Sequence, residues 1–197
     1  MTSDRPLALV LASSSPYRRE LLARLRLDFE TAVPDIDEAP LPGEGAPALA
    51  LRLAIGKAAA VAARYPDSLI IGSDQVAMNG MQQLHKPGCH STARNQLTAM
   101  SGRHITFFTA LCLFNSHSGR HQSAVVPVEV KMRQLDAAAI DRYLAAEQPY
   151  DCAGSARIEA FGITLVEKLS GDDPNALIGL PLIELCRMLR NEGIDLP

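Results

Sequence analysis

The sequence predicts an α/β fold: a mixed twisted sheet with flanking helices, arranged as two lobes around a cleft. Three observations carry this. Apolar runs and helical periodicities alternate in the order βαβαβ up to Val76; two long alternating runs then flank a tight turn as an antiparallel hairpin; helical spacing and one more strand close the chain. With 197 residues, 47% of them hydrophobic, the chain can bury a full core as a single domain over 1–197. It shows no internal repeat, low-complexity tract or linker.

Residues 7–11 form a short unbroken apolar run, the length of a buried strand. Ser15 before Pro16 is an N-cap with proline at the first helical position, and Leu21, Leu22 and Leu25 supply the apolar face that follows. The backbone N–H groups at this helix start point into a turn lined by Ser13, Ser14 and Ser15. Arg18 and Arg19 fall in the opening turn, where the macrodipole favours acids instead. A bound phosphate resolves that conflict, because hydroxyls, free N–H groups and guanidinium forks all suit its oxygens. The alternative is a solvated helix start whose arginines meet distant carboxylates.

Residues 29–33 read as a second strand that delivers Asp35, Asp37 and Glu38 into a loop. Carboxylates this close repel one another unless a cation sits among them, a solvated acidic loop being the alternative. A Pro/Gly/Ala-rich connection over 40–47 leads into an alanine-rich helix over 48–64. Lys57 lies on the apolar face of that helix, where alanines cover it poorly, so it snorkels to water or reaches an anion. Residues 69–76 are a third apolar strand that runs into Asp74 and Gln75. Ligands bind at strand ends in α/β sheets, which places Asp74 toward a cleft; a plain Ser-Asp turn is the alternative.

Residues 79–88 form a loop carrying Lys86, and 92–100 a short helix. The hairpin strands span 105–114 and 125–133 around a turn at 115–119, and a helix follows over 136–146. The small-residue stretch 150–162 has little periodicity and reads as a binding loop. A strand over 163–169, a turn over 171–175 and an amphipathic helix over 180–191 complete the chain.

A net charge of −3 argues against a nucleic-acid polymer as partner. No apolar run reaches membrane-spanning length, and residues 1–6 lack a signal peptide's apolar core, so a cytoplasmic protein without a membrane partner is expected. Cys89, Cys112, Cys152 and Cys186 are scattered and read as reduced thiols. His85, Cys89 and His90 lie close in sequence, as do His117 and His121, but no CxxC or HExxH spacing supports zinc.

Several segments recur together, in order: Ala12-Ser-Ser-Ser-Pro-Tyr-Arg-Arg19, Asp37-Glu38, Leu53-Ala54 with Lys57-Ala58, Ile71-Gly-Ser-Asp-Gln75, Lys86-Pro87, Ser101-Gly-Arg103 with Thr109-Ala110, Cys152-Ala-Gly-Ser155 and Gly179-Leu-Pro181. In these motifs the chain resembles the Maf family of nucleoside triphosphate pyrophosphatases over nearly its whole length. The resemblance implies a cleft architecture shared with the inosine triphosphate pyrophosphatases. It also implies hydrolysis between the α and β phosphates of a small-molecule nucleotide, giving the monophosphate and pyrophosphate, with a divalent cation such as Mg, Mn or Co.

Matched position by position, the resemblance makes Asp74 the proton acceptor. It gives Ser13, Arg18, Arg19, Lys57 and Lys86 to phosphate binding, and Glu38 with Asp74 to the metal. This is chemically coherent, since phosphoanhydride hydrolysis needs neutralised oxyanions and a deprotonated water more than covalent chemistry. Gln75, Tyr17 and Glu159 match the specificity positions of the branch acting on 7-methyl-GTP. An aromatic face suits the methylated base's positive charge, and a carboxylate can accept from its N1 and N2 hydrogens. Tyr17 stands where that branch carries tryptophan, and Gly56 before Lys57 is also a departure. The dTTP/UTP branch, or another modified nucleotide, stays open as an alternative substrate. So does a non-catalytic nucleotide-binding regulator of division, although a sensor needs no base such as Asp74. A homodimer is compatible with the sequence.

Overall fold

Alternation along the first strand sets the architecture. In the computed structural model, which describes residues 7–197, β1 (Ala8–Ala12) turns Leu9 and Leu11 to one face of a sheet and Val10 and Ala12 to the other. After it come α1 (Pro16–Ala23), β2 (Glu30–Ala32), α2 (Ala46–Ala62) and β3 (Ser68–Asn79), with β1 parallel to both other strands. The middle of the chain adds β4 (Gln82–Leu84), α3 (His90–Met100) and the hairpin of β5 (His104–Asn115) and β6 (Arg120–Met132), all three strands antiparallel to their neighbours. Next come α4 (Ala137–Glu147), β7 (Val166–Ser170) and α5 (Leu182–Asn191). The product is one open, mixed, seven-stranded sheet of order β2-β1-β3-β5-β6-β7, with β4 beside the far end of β3.

The two lobes are two packing halves of this sheet. In the first half, Leu69, Ile71, Leu111 and Leu113 join β1's odd residues under α1 and α5, through Leu21, Leu22, Leu185, Met188 and Leu189. The even residues Ile70, Ala110 and Cys112 pack on the other face against α2, through Leu49, Leu53, Ala54 and Val61. The second half buries Ala77, Ile105, Phe107, Val130 and Met132 with Leu97 of α3 and Tyr143 of α4. At about 25 cal/mol per Å² of apolar surface, these contacts supply the main driving force for the sheet to form.

Element boundaries differ from the sequence expectation where pairing outweighs local pattern. β3 runs on to Asn79 because β5 pairs along its whole length, so Asp74 and Gln75 stand inside a strand and not at its end. Residues 120–124 also belong to β6: they pair with β5, while β7 covers only the far end of β6, leaving an edge where polar side chains fit. The loop expected at 79–88 contains β4, and residues 163–165 lie in a 3-10 turn, with the strand starting at Val166.

The ladder on the outer side of β3 is interrupted. β1 pairs with β3 only as far as Ala12 opposite Gly72, and β4 begins at Ala77 opposite Leu84. Between these points, residues 73–76 have a strand neighbour on the β5 side alone. The reading of residues 1–6 lies outside the described residues; no described helix is long and apolar enough to cross a membrane. All four cysteines are free.

Candidate active site

A cleft of about 550 Å³ opens at that free edge, a volume in the range of small-molecule sites. Ser13, Tyr17, Arg18, Glu38, Lys57, Asp74, Gln75, Lys86 and Glu159 all line it. Arg19 does not: it is exposed on the outer side of the serine turn, in an adjoining concavity with Glu20 and Thr31 that meets the cleft at residues 13–16.

Alternation in β3 determines which side chain meets which partner. Asp74 shares its face with Ile70 and Gly72 and therefore points at α2, while Ser73 and Gln75 point the opposite way, at the loop after β7. Gly72 lets α2 approach: a Cβ there would lie 2.1 Å from the Ala54 carbonyl oxygen and 2.9 Å from the Ala58 nitrogen. This close packing brings Lys57 onto Asp74, with Nζ 2.6 Å from Oδ1, and Nζ is also 2.8 Å from Glu38 Oε1. Lys57 is only 7% exposed, so of the two expectations it takes the second: it does not snorkel but reaches anions, the carboxylates brought by β3 and by the acidic loop. Glu38 remains half exposed, on a loop pinned to α2 by Arg52, which donates to Glu44 at 2.7 and 2.8 Å and to the Ala39 carbonyl at 2.9 Å.

The serine turn behaves as its sequence predicts. Ser15 Oγ caps α1 by accepting from the Arg18 N–H, and Ser13 Oγ accepts from the Ser15 N–H at 3.1 Å. Arg18 folds back over the turn. Its Nη1 donates to Ser13 Oγ at 3.5 Å and its Nε to the Gly179 carbonyl at 2.8 Å. Burial draws the Arg18 pKa down from its ordinary value, and the charges of Asp74 and Glu38 oppose that pull. Lys86, exposed, lines the cleft beyond β4.

On the other face of β3, Gln75 Nε2 donates toward Thr109 Oγ1 at 2.8 Å and the Ala176 and Leu177 carbonyls at 3.0 Å, which fixes the orientation of the amide. Thr109 Oγ1 donates to the Ala176 carbonyl at 2.7 Å. Tyr17 lies across the cleft, its hydroxyl 3.4 Å from Asp151 Oδ2, and burial pushes the phenol up to about 12, so it stays a donor. The Arg157 guanidinium stands 5.3 Å from the centre of the Tyr17 ring. Burial, with Asp151 next to it, pushes the Cys152 thiol to about 12, which removes it as a nucleophile near neutral pH.

Sequence reasoning passed over several groups that shape this site, and Asp173 is the most consequential. It is 2% exposed and its carboxylate accepts from the Asn175 N–H at 2.9 Å, the Asn175 amide at 3.1 Å and the Ile183 N–H at 2.7 Å. It therefore caps α5 from ten residues upstream and fixes the loop whose carbonyls hold Arg18 and Gln75. Asp173→Ala is expected to cost about 3 kcal/mol, by leaving buried donors unpaired, as read from the midpoint of urea unfolding. Its only visible signal was an acid before a proline in a turn.

Among the described residues, no three His, Cys, Asp or Glu side chains come together as a metal cage. Glu38 and Asp74 nonetheless both contact one cation, the Lys57 ammonium. A hard divalent ion such as Mg²⁺ or Mn²⁺ takes one or two carboxylates and completes its shell with water and substrate phosphate, so this donor pair fits one.

The family model described as Maf-like protein matches residues 8–192. The 7-methyl-GTP pyrophosphatase of Cupriavidus pinatubonensis (strain JMP 134 / LMG 1197) is 56% identical over 193 residues, covering 98% of this chain and 97% of that protein. The protein of the same name from Thiobacillus denitrificans (strain ATCC 25259 / T1) is 56% identical over 195 residues, 99% of this chain and 96% of its own. A third, from Pseudomonas syringae pv. tomato (strain ATCC BAA-871 / DC3000), is 55% identical over 190 residues, 96% and 99% of the two chains.

Proposed function

The chain belongs to the Maf family, and from that premise we propose that it is a nucleotide pyrophosphatase that hydrolyses 7-methyl-GTP to 7-methyl-GMP and pyrophosphate. One observation carries the reading: a single cleft combines cationic and hydroxyl groups suited to a triphosphate, a carboxylate pair, and an aromatic ring among acids. Ser13, Arg18, Lys57 and Lys86 bind the phosphate oxygens, the positive charge of the last three balancing what develops on the leaving pyrophosphate. Arg19, on the outer face of the turn, is assigned no direct contact and adds only to the positive field at the start of α1.

Asp74, buried and held by Lys57, is the proton acceptor. A water attacks phosphorus, the α–β bridging bond breaks, the new oxygen stays on the monophosphate and its proton passes to Asp74. Lys57 holds the Asp74 carboxylate in one orientation until the nucleotide enters. Glu38 and Asp74 are the residues that would hold a divalent cation. When bound, it supplies Lewis-acid polarisation of the phosphoryl oxygens.

Charge around Tyr17 favours the methylated base. Glu147 and Glu159 pair with one guanidinium, Arg157, and Asp151 stands at the Tyr17 hydroxyl, so three acids surround the ring with that guanidinium, an excess of negative charge where 7-methylguanine would bring a positive one. Tyr17 stacks on that base, Glu159 accepts from its N1 and N2 hydrogens, and Gln75 presents its fixed amide to it. A nucleotide substrate and four unpaired cysteines support the cytoplasm as its compartment.

The test is pyrophosphate release from 7-methyl-GTP, GTP, dTTP and UTP with Mg²⁺, Mn²⁺ or Co²⁺. The highest kcat/KM is expected for 7-methyl-GTP. Faster turnover of dTTP or UTP overturns the substrate assignment, and tight binding with no product from any nucleotide overturns the enzyme.

A further inference from the structure

Arg157 touches both groups assigned to the base without lining the cleft itself. Its guanidinium carbon is 5.3 Å from the Tyr17 ring centre, its Nη1 donates to Glu147 at 2.9 Å, and its Nε stands 3.6 Å from Glu159 Oε1. The main chain is held as firmly as the side chain. The Arg157 N–H donates to the Tyr143 hydroxyl at 3.0 Å, and its carbonyl accepts from the Ala160 and Gly162 N–H groups at 3.1 and 2.9 Å.

One atom in this arrangement is unfinished. Arg157 Nε is buried and makes no hydrogen bond, alone among buried side-chain donors and acceptors of the described residues. At 3.6 Å the nearest Glu159 oxygen is too far for one. A purely structural arginine gains nothing from a buried donor left open. A carboxylate that must turn toward a ligand does: one oxygen can then accept from the base while the other closes onto Nε. Glu147, the third partner, already neutralises the guanidinium, which leaves the charge of Glu159 available to the base.

Building on the assignment of Tyr17 and Glu159 to the base, we propose that Arg157 is a positioning residue for base recognition. Placed over the ring and paired with Glu147 and Glu159, it sets ring and carboxylate in the relative orientation that reads the nucleobase. It acts through these two side chains and does not touch the reacting phosphates.

Steady-state kinetics of Arg157→Met on 7-methyl-GTP and GTP test this. The KM for 7-methyl-GTP should rise roughly three- to tenfold with kcat nearly unchanged, and the preference over GTP should shrink. Arg157→Lys, which keeps the charge over the ring, should recover part of the loss. Glu147→Gln, which loosens the anchor from α4, should move KM the same way by less. With Tyr17→Ala already present, removing Arg157 should add less than its effect alone. A merely structural residue lowers the active fraction, hence kcat for both nucleotides equally, and leaves KM alone; that pattern overturns the proposal. Should Arg157→Met fail to fold, unchanged KM values in both Arg157→Lys and Glu147→Gln overturn it as well. If wild-type protein prefers another nucleotide, the substrate assignment falls, and the role of Arg157 is judged by KM for that nucleotide instead.

Discussion

Asp74→Asn is expected to leave the fold and nucleotide binding in place and to lower turnover by about 10²- to 10⁴-fold, the span of general-base contributions. The amide has the size of the carboxylate and keeps an oxygen for Lys57 Nζ, now 2.6 Å from Oδ1. Lys57 also keeps Glu38, so the cation is not stranded in a cleft wall where an unpaired charge costs several kcal/mol. What disappears is a base able to take a proton. Pyrophosphate release measured beside calorimetric binding of the nucleotide separates the two effects. Turnover within a few-fold of wild type removes Asp74 from the role of acceptor; lost binding with unchanged chemistry moves it to substrate anchoring.

Gly72→Ala is expected to cost about 3 kcal/mol or more and to disable the cleft in whatever protein survives. The atoms a Cβ meets are the Ala54 carbonyl and the Ala58 nitrogen, main-chain groups inside a helix that cannot rotate aside. Relief requires α2 to move off β3, and α2 carries Lys57, so the contact with Asp74 opens at the same time. Gly56, on the same helix, is the control. A Cβ there would sit at an ordinary 3.5 Å from Ile36 Cδ1, and Gly56→Ala should stabilise by about 1 kcal/mol through helix propensity alone. Denaturant midpoints of the two variants should therefore move in opposite directions. Movement of both downward by similar amounts refutes the claim that close approach, and not loss of glycine as such, is what matters at Gly72.

Signals confined to neighbouring residues were readable from the sequence. Ser15-Pro16 marks the start of α1, and the unbroken apolar runs of β1 and β3 show which strands are buried. Long-range effects were not. Nothing near Lys57 in sequence indicates that it is covered, since its partners arrive from β3 and from the loop after β2. Arg18 and Arg19 look equivalent in a string of letters, yet successive residues on a helix point about 100° apart, and only Arg18 turns to the cleft. The polar start of β6 hides a strand because its outer edge is unpaired, and Arg157 and Asp173 lie in turns where no periodicity marks a functional position.

β3 and β5 pair without interruption from Leu69 opposite Asn115 to Asn79 opposite Ile105, crossing from one half of the molecule to the other beneath the cleft. Such a floor has no hinge: drawing the halves together means bending a continuous hydrogen-bonded ribbon, which protein sheets resist far more than interdomain linkers do. The aperture is therefore gauged in advance, and discrimination among nucleotides falls to side chains already standing along the rim of that floor, Tyr17, Gln75 and Glu159, and not to closure of one half upon the other.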